Sequence, residues 1–258
     1  MTARFSPKAL RQGLTTRSFG CRLEYRAVLG STQDLARQLA QAGALEGTVV
    51  LAGRQTAGRG RLGRSFISPR GGLYFTVVLR PALQHLRPLP IVAALAVARG
   101  LERVAGLRTA LKWPNDVLVG GRKICGILLE SELMGQAVNY VLLGIGVNMN
   151  ADMSAYPEIA AIATSAAAEA GREVSREALA AAVLDELEGL YLAVQAGQGV
   201  QDEWRVRLET LGRQVRVTCG QTVEKGLAED VDGDGSLILR RPDGSRVTIA
   251  AGDVTLRG

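Results

Sequence analysis

The stretch Leu107–Gly146, LRTALKWPNDVLVGGRKICGILLESELMGQAVNYVLLGIG, decides the fold class. Its apolar runs are short and are bounded by Pro, Asn and Gly, the pattern of buried strands. Leu107–Leu111 and Val117–Val119 read as strands flanking a turn. Pro114 forces Trp113 into extended backbone, and Asn115-Asp116 favours the turn itself. Gly120-Gly121 makes a tight hairpin, and Lys123–Glu130 and Val138–Gly146 follow as further strands.

Upstream of this run, Ile91, Ala94, Leu95, Ala98, Leu101 and Ala105 keep helical spacing up to Gly106, so a core helix precedes the strands. Earlier still, Thr48–Ala52 and Leu73–Leu79 read as buried strands. Ser31 and Asp34 sit at capping-box-like spacing, and with Leu35 and Leu39 on one face they predict a helix over 32–42. Residues 1–22 read as a polar, irregular lead-in. Downstream, Ser175 can cap a helix to about Ala196, with Leu179, Val183, Leu187 and Leu190 as its apolar face. A short helix is expected around Trp204. From Gly212 the pattern changes to short strands between Gly and Asp turns: Val215–Thr218, Gly226–Asp230, Leu237–Arg240, Val247–Ala250 and Val254–Leu256. Five strands in so few residues predict a small β-barrel. The expected fold is α/β (α+β), a mixed sheet with packed helices over 1–208 followed by the barrel over 209–258.

A chain of 258 residues with 47% hydrophobic and 22% charged residues is long enough for one large domain and a small one. The longest charge-free stretch, Leu133–Ala151, carries Gln136, Asn139, Asn148, Asn150 and three glycines, which excludes a membrane span there. No sustained apolar segment opens the chain, so no secretory signal is expected. Cys21, Cys125 and Cys219 are widely separated and show no metal-ligand spacing, which favours free thiols and a cytoplasmic protein. The net charge of +6 points to anionic partners. From Gly47 to Leu101 there is no Asp or Glu, while Arg54, Arg59, Arg61, Arg64, Arg70, Arg80, Arg87 and Arg99 all fall inside. A nucleotide-phosphate site, a nucleic-acid surface and solvated arginines all remain open as explanations.

Four segments carry candidate chemistry. Gly58-Arg59-Gly60-Arg61-Leu62-Gly63-Arg64 contains G-x-G-x-x-G, but no helix follows directly and the next acid is Glu102, so the dinucleotide reading fails. No Gly-Lys-Ser/Thr follows either. What remains is a glycine loop offering backbone N–H donors and guanidinium groups to phosphate or carboxylate oxygens, or an ordinary exposed basic loop. In Lys112-Trp113-Pro114-Asn115-Asp116, Asn115 and Asp116 can present oxygens to a nucleotide or a magnesium ion. Lys123 opens the third segment, Lys123-Ile124-Cys125-Gly126-Ile127-Leu128. The chain has only four lysines, Lys8, Lys112, Lys123 and Lys225. Using one where arginine is the habit suggests that a compact point charge is wanted. The fourth segment, Gly144-Ile145-Gly146-Val147-Asn148-Met149-Asn150, reads as a strand whose glycines allow close approach, or as an ordinary strand running into a loop.

Together these segments resemble the biotin–protein ligase family, in order and in spacing. Ser31-Thr32, Gln55-Thr56-Ala57 and the ending Gly252-Asp253-Val254-Thr255-Leu256-Arg257 also fit, and the resemblance covers about residues 23 to 258. Some members carry an N-terminal DNA-binding domain, for which residues 1–22 are too short. The resemblance implies a biotin- and ATP-binding catalytic domain with an SH3-like C-terminal barrel. It implies activation of biotin by ATP to biotinyl-adenylate, then transfer to a lysine of a biotin carboxyl carrier protein. Carried over residue by residue, Lys123, Arg59 and Arg61 become catalytic. Ser31, Thr32, Gln33, Gln55, Arg59, Gly60, Arg61, Lys123 and Gly126 become biotin-binding. Arg61, Phe66, Lys112, Trp113, Asn115, Asp116, Asn148 and Arg257 become nucleotide-binding, with Asp116 also a magnesium ligand. Phe66 stands where familiar members have tryptophan, which puts the adenine contact there in doubt. ATP and magnesium are the expected co-substrate and activator, biotin the substrate, and no prosthetic group is expected. A carrier protein and a homodimer are the expected partners; nucleic acid and membrane are not. Cys125 is expected to pack on its strand, and His85 to lie at the surface. The competing readings are a lipoate–protein ligase on a related fold, a nucleic-acid-binding regulator, and a biotin-binding module without catalysis.

Overall fold

In the computed structural model, which describes residues 4–256, the strand signals of the central stretch join one mixed sheet. Strand β1 (Leu23–Arg26) runs parallel to β2 (Val49–Ala52), and β2 is antiparallel to β3 (Leu73–Leu79). β3 pairs with β7 (Ala137–Val147), β7 with β6 (Arg122–Met134), β6 with β5 (Asp116–Val119), and β5 with β4 (Ala110–Lys112). The order across the sheet is β1-β2-β3-β7-β6-β5-β4. The β5–β6 hairpin turns at Gly120 and Gly121, whose φ values of 56° and 74° require glycine.

Alternation along β3 assigns the two faces. Leu73, Phe75, Val77 and Leu79 join the main core with α3 (Leu89–Ala105) and α5 (Arg176–Gln195). Val78 faces α2 (Thr32–Gln41), where Ala36, Ala40, Val50, Tyr140 and Leu142 form a smaller core. Ends follow local chemistry. Gly106 closes α3 in the left-handed region at φ 70°, and the Ser175 hydroxyl accepts from the Ala178 N–H at the start of α5. Gly100 lets α3 and α5 approach, since a Cβ there would lie 2.8 Å from Val183 Cγ2.

Two of the elements that differ from expectation lie at the start of the chain. The lead-in over 1–22 is not irregular throughout: Pro7–Gly13 forms α1, with Ser6 as its N-cap and Leu10 fully buried. It is tied to α5 through Glu188, whose carboxylate accepts from the backbone N–H groups of Arg17, Ser18 and Phe19 and from the Ser18 hydroxyl. β1 was not expected at all. It is a four-residue edge strand, Leu-Glu-Tyr-Arg, recruited by its parallel ladder to β2.

Helices α4 (Ala166–Ala170) and α6 (Gln201–Arg207) complete the helical set among the described residues, and α6 leads to a second sheet. Its strands are β8 (Gln214–Cys219), β9 (Thr222–Val231), β10 (Leu237–Arg240), β11 (Arg246–Ile249) and β12 (Asp253–Leu256), in the antiparallel order β11-β10-β9-β8-β12. Trp113 joins the two sheets. Its backbone N–H donates to Thr210 Oγ1 at 3.0 Å, and its indole Nε1 donates to the Gly235 carbonyl at 2.9 Å. Among the described residues no helix is long and apolar enough to cross a membrane.

Candidate active site

Strand register builds the floor of the principal cavity. Asp116, Gly126, Gly146 and Tyr74 stand in one row across β5, β6, β7 and β3. Leu128, Gly144 and Thr76 form the next row, on the face that α2 covers. The glycines remove side chains where the floor must be low, and the Phe66 ring lies directly on them. A Cβ at Gly146 would sit 2.7 Å from Phe66 Cε1, and one at Gly126 would sit 3.0 Å from Cε2. The cleft spans about 720 Å³ when the open solvent at its mouth is included.

The closed end is polar. Ser31 caps α2, accepting from the Gln33 N–H at 3.3 Å, and Thr32 and Gln33 occupy its first turn. Gln55, just after β2, accepts at Oε1 from the Thr32 N–H and hydroxyl, at 2.8 and 3.1 Å. Gln33 Nε2 donates to the Leu128 carbonyl at 3.3 Å, while its Oε1 is buried and has no protein partner. A buried acceptor left unpaired is costly, so a group lining a cavity in that state calls for a ligand donor or water.

The other end is cationic. Lys123 Nζ lies 2.6 Å from Asp116 Oδ1 and 5.9 Å from the Phe66 ring centroid. Above it the 58–64 loop is folded over the cleft. Gly60 N–H donates to the Arg64 carbonyl at 2.7 Å, and the loop turns through Leu62, which has a positive φ of 54° and is 66% exposed. Arg59 reaches Asp34 at 2.8 Å and Glu130 at 3.5 Å, acids that Arg37 also bridges. Arg61 donates to Asn115 Oδ1 and to the Gly252 carbonyl, at 3.3 and 3.4 Å. Arg64 pairs with Asp253 at 2.6 Å. The loop is thus pinned on one side by α2 and β6 and on the other by the approach to β12.

Of the sequence-nominated residues, Ser31, Thr32, Gln33, Gln55, Arg59, Gly60, Arg61, Phe66, Asn115, Asp116, Lys123 and Gly126 line this one cavity. Lys112, Trp113 and Asn148 do not line it. Trp113 is 1% exposed and spends its indole N–H on Gly235, which makes it a joint between sheets. Asn148 lies behind the floor: its N–H donates to the Ile124 carbonyl and its Nδ2 to the Thr164 carbonyl, while its buried Oδ1 has no protein partner. Arg257 lies outside the described residues. Lining residues that were not nominated are Arg64, Phe75, Ile127, Leu128, Gly144, Ile145, Gly146 and Asp253. All of these but Phe75, which lies on a strand expected from the sequence, fall within the quoted motifs. The ending that contains Asp253 was recognised, but not its place in the cleft, which depends on a fold that brings it to Arg64, 189 residues away. Cys125 is fully buried, which pushes its thiol well above the ordinary range and suits packing rather than nucleophilic attack. His85 lies elsewhere, in the turn before α3.

Asp116 is the one nominated metal ligand, and Lys123 already occupies its Oδ1. Among the described residues no three acids, histidines or cysteines converge as a metal site. The chain therefore offers a single carboxylate beside a phosphate-sized cationic region, which suits a magnesium ion held mainly by the phosphates of a nucleotide.

Comparison with known proteins gives this geometry a context. Residues 25–148 match the biotin/lipoate A/B protein ligase family, and residues 210–257 match the biotin protein ligase C-terminal domain. The biotin--[acetyl-CoA-carboxylase] ligase of Paracoccus denitrificans is 39% identical, covering 78% of this chain and 88% of its own. The Mycobacterium tuberculosis protein of the same name is 36% identical, covering 96% and 94%. Among solved structures, the Aquifex aeolicus biotin protein ligase in complex with biotin and ATP superposes with a TM-score of 0.79. It is 29% identical, covering 92% of this chain and 99% of that one.

Proposed function

The chain belongs to the biotin protein ligase family, and from that premise we propose that it activates biotin with ATP and transfers it to a lysine of a biotin carboxyl carrier protein. One observation carries the reading. A glycine-floored cleft runs from a polar end at Ser31, Thr32, Gln33 and Gln55 to a cationic end at Lys123, Arg59, Arg61 and Arg64. That polarity suits a neutral, hydrogen-bonding ring attached to a chain that ends in a carboxylate.

In the first half-reaction a biotin carboxylate oxygen attacks the α-phosphorus of ATP, and the bond to pyrophosphate breaks. Two unit anions about 4 Å apart repel by roughly 4 kcal/mol at an effective dielectric of 20. Lys123 is placed to exchange its Asp116 partner for the incoming carboxylate. Arg59 and Arg61 then hold the phosphate charge, and one such aimed donor is worth about 3–4 kcal/mol in the transition state. Asp116 is the carboxylate that would hold a magnesium ion, which would shield the charge of the ATP phosphates when bound. Phe66 and Asn115 serve the nucleotide side, and Asn148, assigned to the same side, keeps an unpartnered Oδ1 behind the floor. In the second half-reaction the carrier lysine amine attacks the acyl carbon, the acyl–phosphate bond breaks, and AMP leaves. No enzyme nucleophile is required, in keeping with the buried Cys125 thiol.

ATP–pyrophosphate exchange with biotin, lipoate or neither acid tests this reading. Exchange with biotin alone, followed by labelling of an added carrier, is the expected result. Exchange with lipoate alone, or none in folded protein, would overturn it.

A further inference from the structure

Thr76 sits in the middle of β3, in the apolar run Leu-Tyr-Phe-Thr-Val-Val-Leu, and is 0% exposed. It does not line the cleft, yet its hydroxyl lies 2.9 Å from Thr32 Oγ1, which does. A hydroxyl buried among apolar neighbours is expensive unless it is used. Its use here can be traced from two fixed ends.

At one end the Thr32 backbone N–H, which can only donate, meets the Gln55 side chain at 2.8 Å, so oxygen must face it. At the other end the Phe66 carbonyl, which can only accept, takes the Ser68 hydroxyl proton at 2.9 Å. Ser68 Oγ must therefore accept from Gln55 Nε2, at 2.9 Å. The two ends agree on one orientation of the Gln55 amide. With Oε1 facing Thr32, the Thr32 hydroxyl donates to it at 3.1 Å and is left to accept from Thr76. The chain of donation runs Thr76 to Thr32 to Gln55 to Ser68 to Phe66 without a break.

The consequence is chemical. Thr32 spends its proton on the protein and presents a lone pair to the cleft. Gln33, the next residue and also on the lining, carries a second acceptor in its buried, unpartnered Oε1. Ser31 Oγ accepts from the α2 cap, which leaves its proton available to the cleft. Two acceptors next to a donor match a cyclic urea, in which a carbonyl is flanked by two N–H groups. We propose that Thr76 is a positioning residue that sets this hydrogen-bonding polarity through Thr32, and so selects a ring carrying N–H donors. This rests on the biotin reading above.

The test compares Thr76→Val, which keeps shape and removes the hydroxyl, with Thr76→Ser, which keeps the hydroxyl and removes a methyl. ATP–pyrophosphate exchange gives KM for biotin, KM for ATP and kcat, and thermal unfolding gives stability. The expected result is a KM for biotin raised about tenfold in Thr76→Val, equivalent to about 1.4 kcal/mol, with kcat and the KM for ATP within twofold. Thr76→Ser is expected to keep the wild-type KM for biotin even where its melting temperature falls. A biotin KM unchanged in folded Thr76→Val would overturn the proposal, as would equal losses in all three kinetic constants. If Thr76→Val does not fold, Thr76→Ala against Thr76→Ser decides by the same criterion. Absence of biotin-dependent exchange in the wild type would instead sink the biotin reading itself, so the two failures are separable.

Discussion

Lys123 is where position and charge matter most. Its backbone is gripped on the edge of β6 by the 162–164 segment, through Lys123 N–H to the Ile162 carbonyl and Thr164 N–H to the Lys123 carbonyl. Only the side chain is therefore free to change partner. Lys123→Met keeps the stem and removes the charge, and it is expected to slow biotin-dependent exchange by about 10²–10³-fold, the loss of one aimed donor. An exchange rate within threefold of wild type would remove Lys123 from the mechanism. Glu188 makes a stability argument of the same size. Burial alone would raise its pKa, but the N–H groups of Arg17, Phe19 and Ser18 and the Ser18 hydroxyl outweigh it and hold the carboxyl below its ordinary value of 4.5. A depressed folded-state pKa means stability that is present above the unfolded value and lost as pH falls through the folded one. Glu188→Gln is therefore expected to lower the melting temperature by about 4–8 °C at pH 7, for a loss of roughly 2 kcal/mol. That gap should narrow as the pH is taken below about 4.5. Melting curves at pH 7 and in mild acid check both statements, and a gap that does not depend on pH would refute the ionic account.

Among the elements, the long periodic ones were legible in the sequence and the short edge ones were not. β3 was expected at Leu73–Leu79, where it lies, because seven buried residues in a row leave little choice. α5 was legible from Ser175 and its apolar face. β1, with Glu24 and Arg26 on a four-residue edge, has no pattern of its own and exists through its register with β2. α1 had a readable start at Ser6-Pro7, but its polar surface hid the buried Leu10. The site divides the same way. Motif residues close in sequence met in one cavity, whereas Trp113 does not line it, and its indole serves a contact 122 residues away. The glycine floor yields an element-scale prediction. In Gly146→Ala the new methyl must push Phe66 off β7, since its Cβ would lie 2.7 Å from the ring. The nucleotide side is expected to suffer first, with KM for ATP raised at least fivefold and KM for biotin changed less. A biotin effect larger than the ATP effect would place Phe66 on the wrong side of the cleft.

At the scale of the whole molecule, the C-terminal sheet takes part in the cleft. Asp253 lines the cleft and holds Arg64, and the Gly252 carbonyl receives Arg61, so two loop arginines are fixed by residues leading into β12. That sheet is in turn held to the larger one by the two hydrogen bonds of Trp113. Two of the loop's anchors thus sit on a sheet that Trp113, itself outside the cleft, helps to hold. Trp113→Phe keeps most of the buried ring and removes only the indole donor, leaving the Gly235 carbonyl unpaired at a cost of about 1–3 kcal/mol. The melting temperature is expected to fall by about 3–8 °C. If the joint also orders the loop, KM for ATP rises together with that loss, and protease cleavage within 58–64 becomes faster. The same melting shift with unchanged cleavage and unchanged KM would make Trp113 a stabilising contact alone. The loop would then owe its order to the Asp34–Arg59–Glu130 pairs on the opposite side.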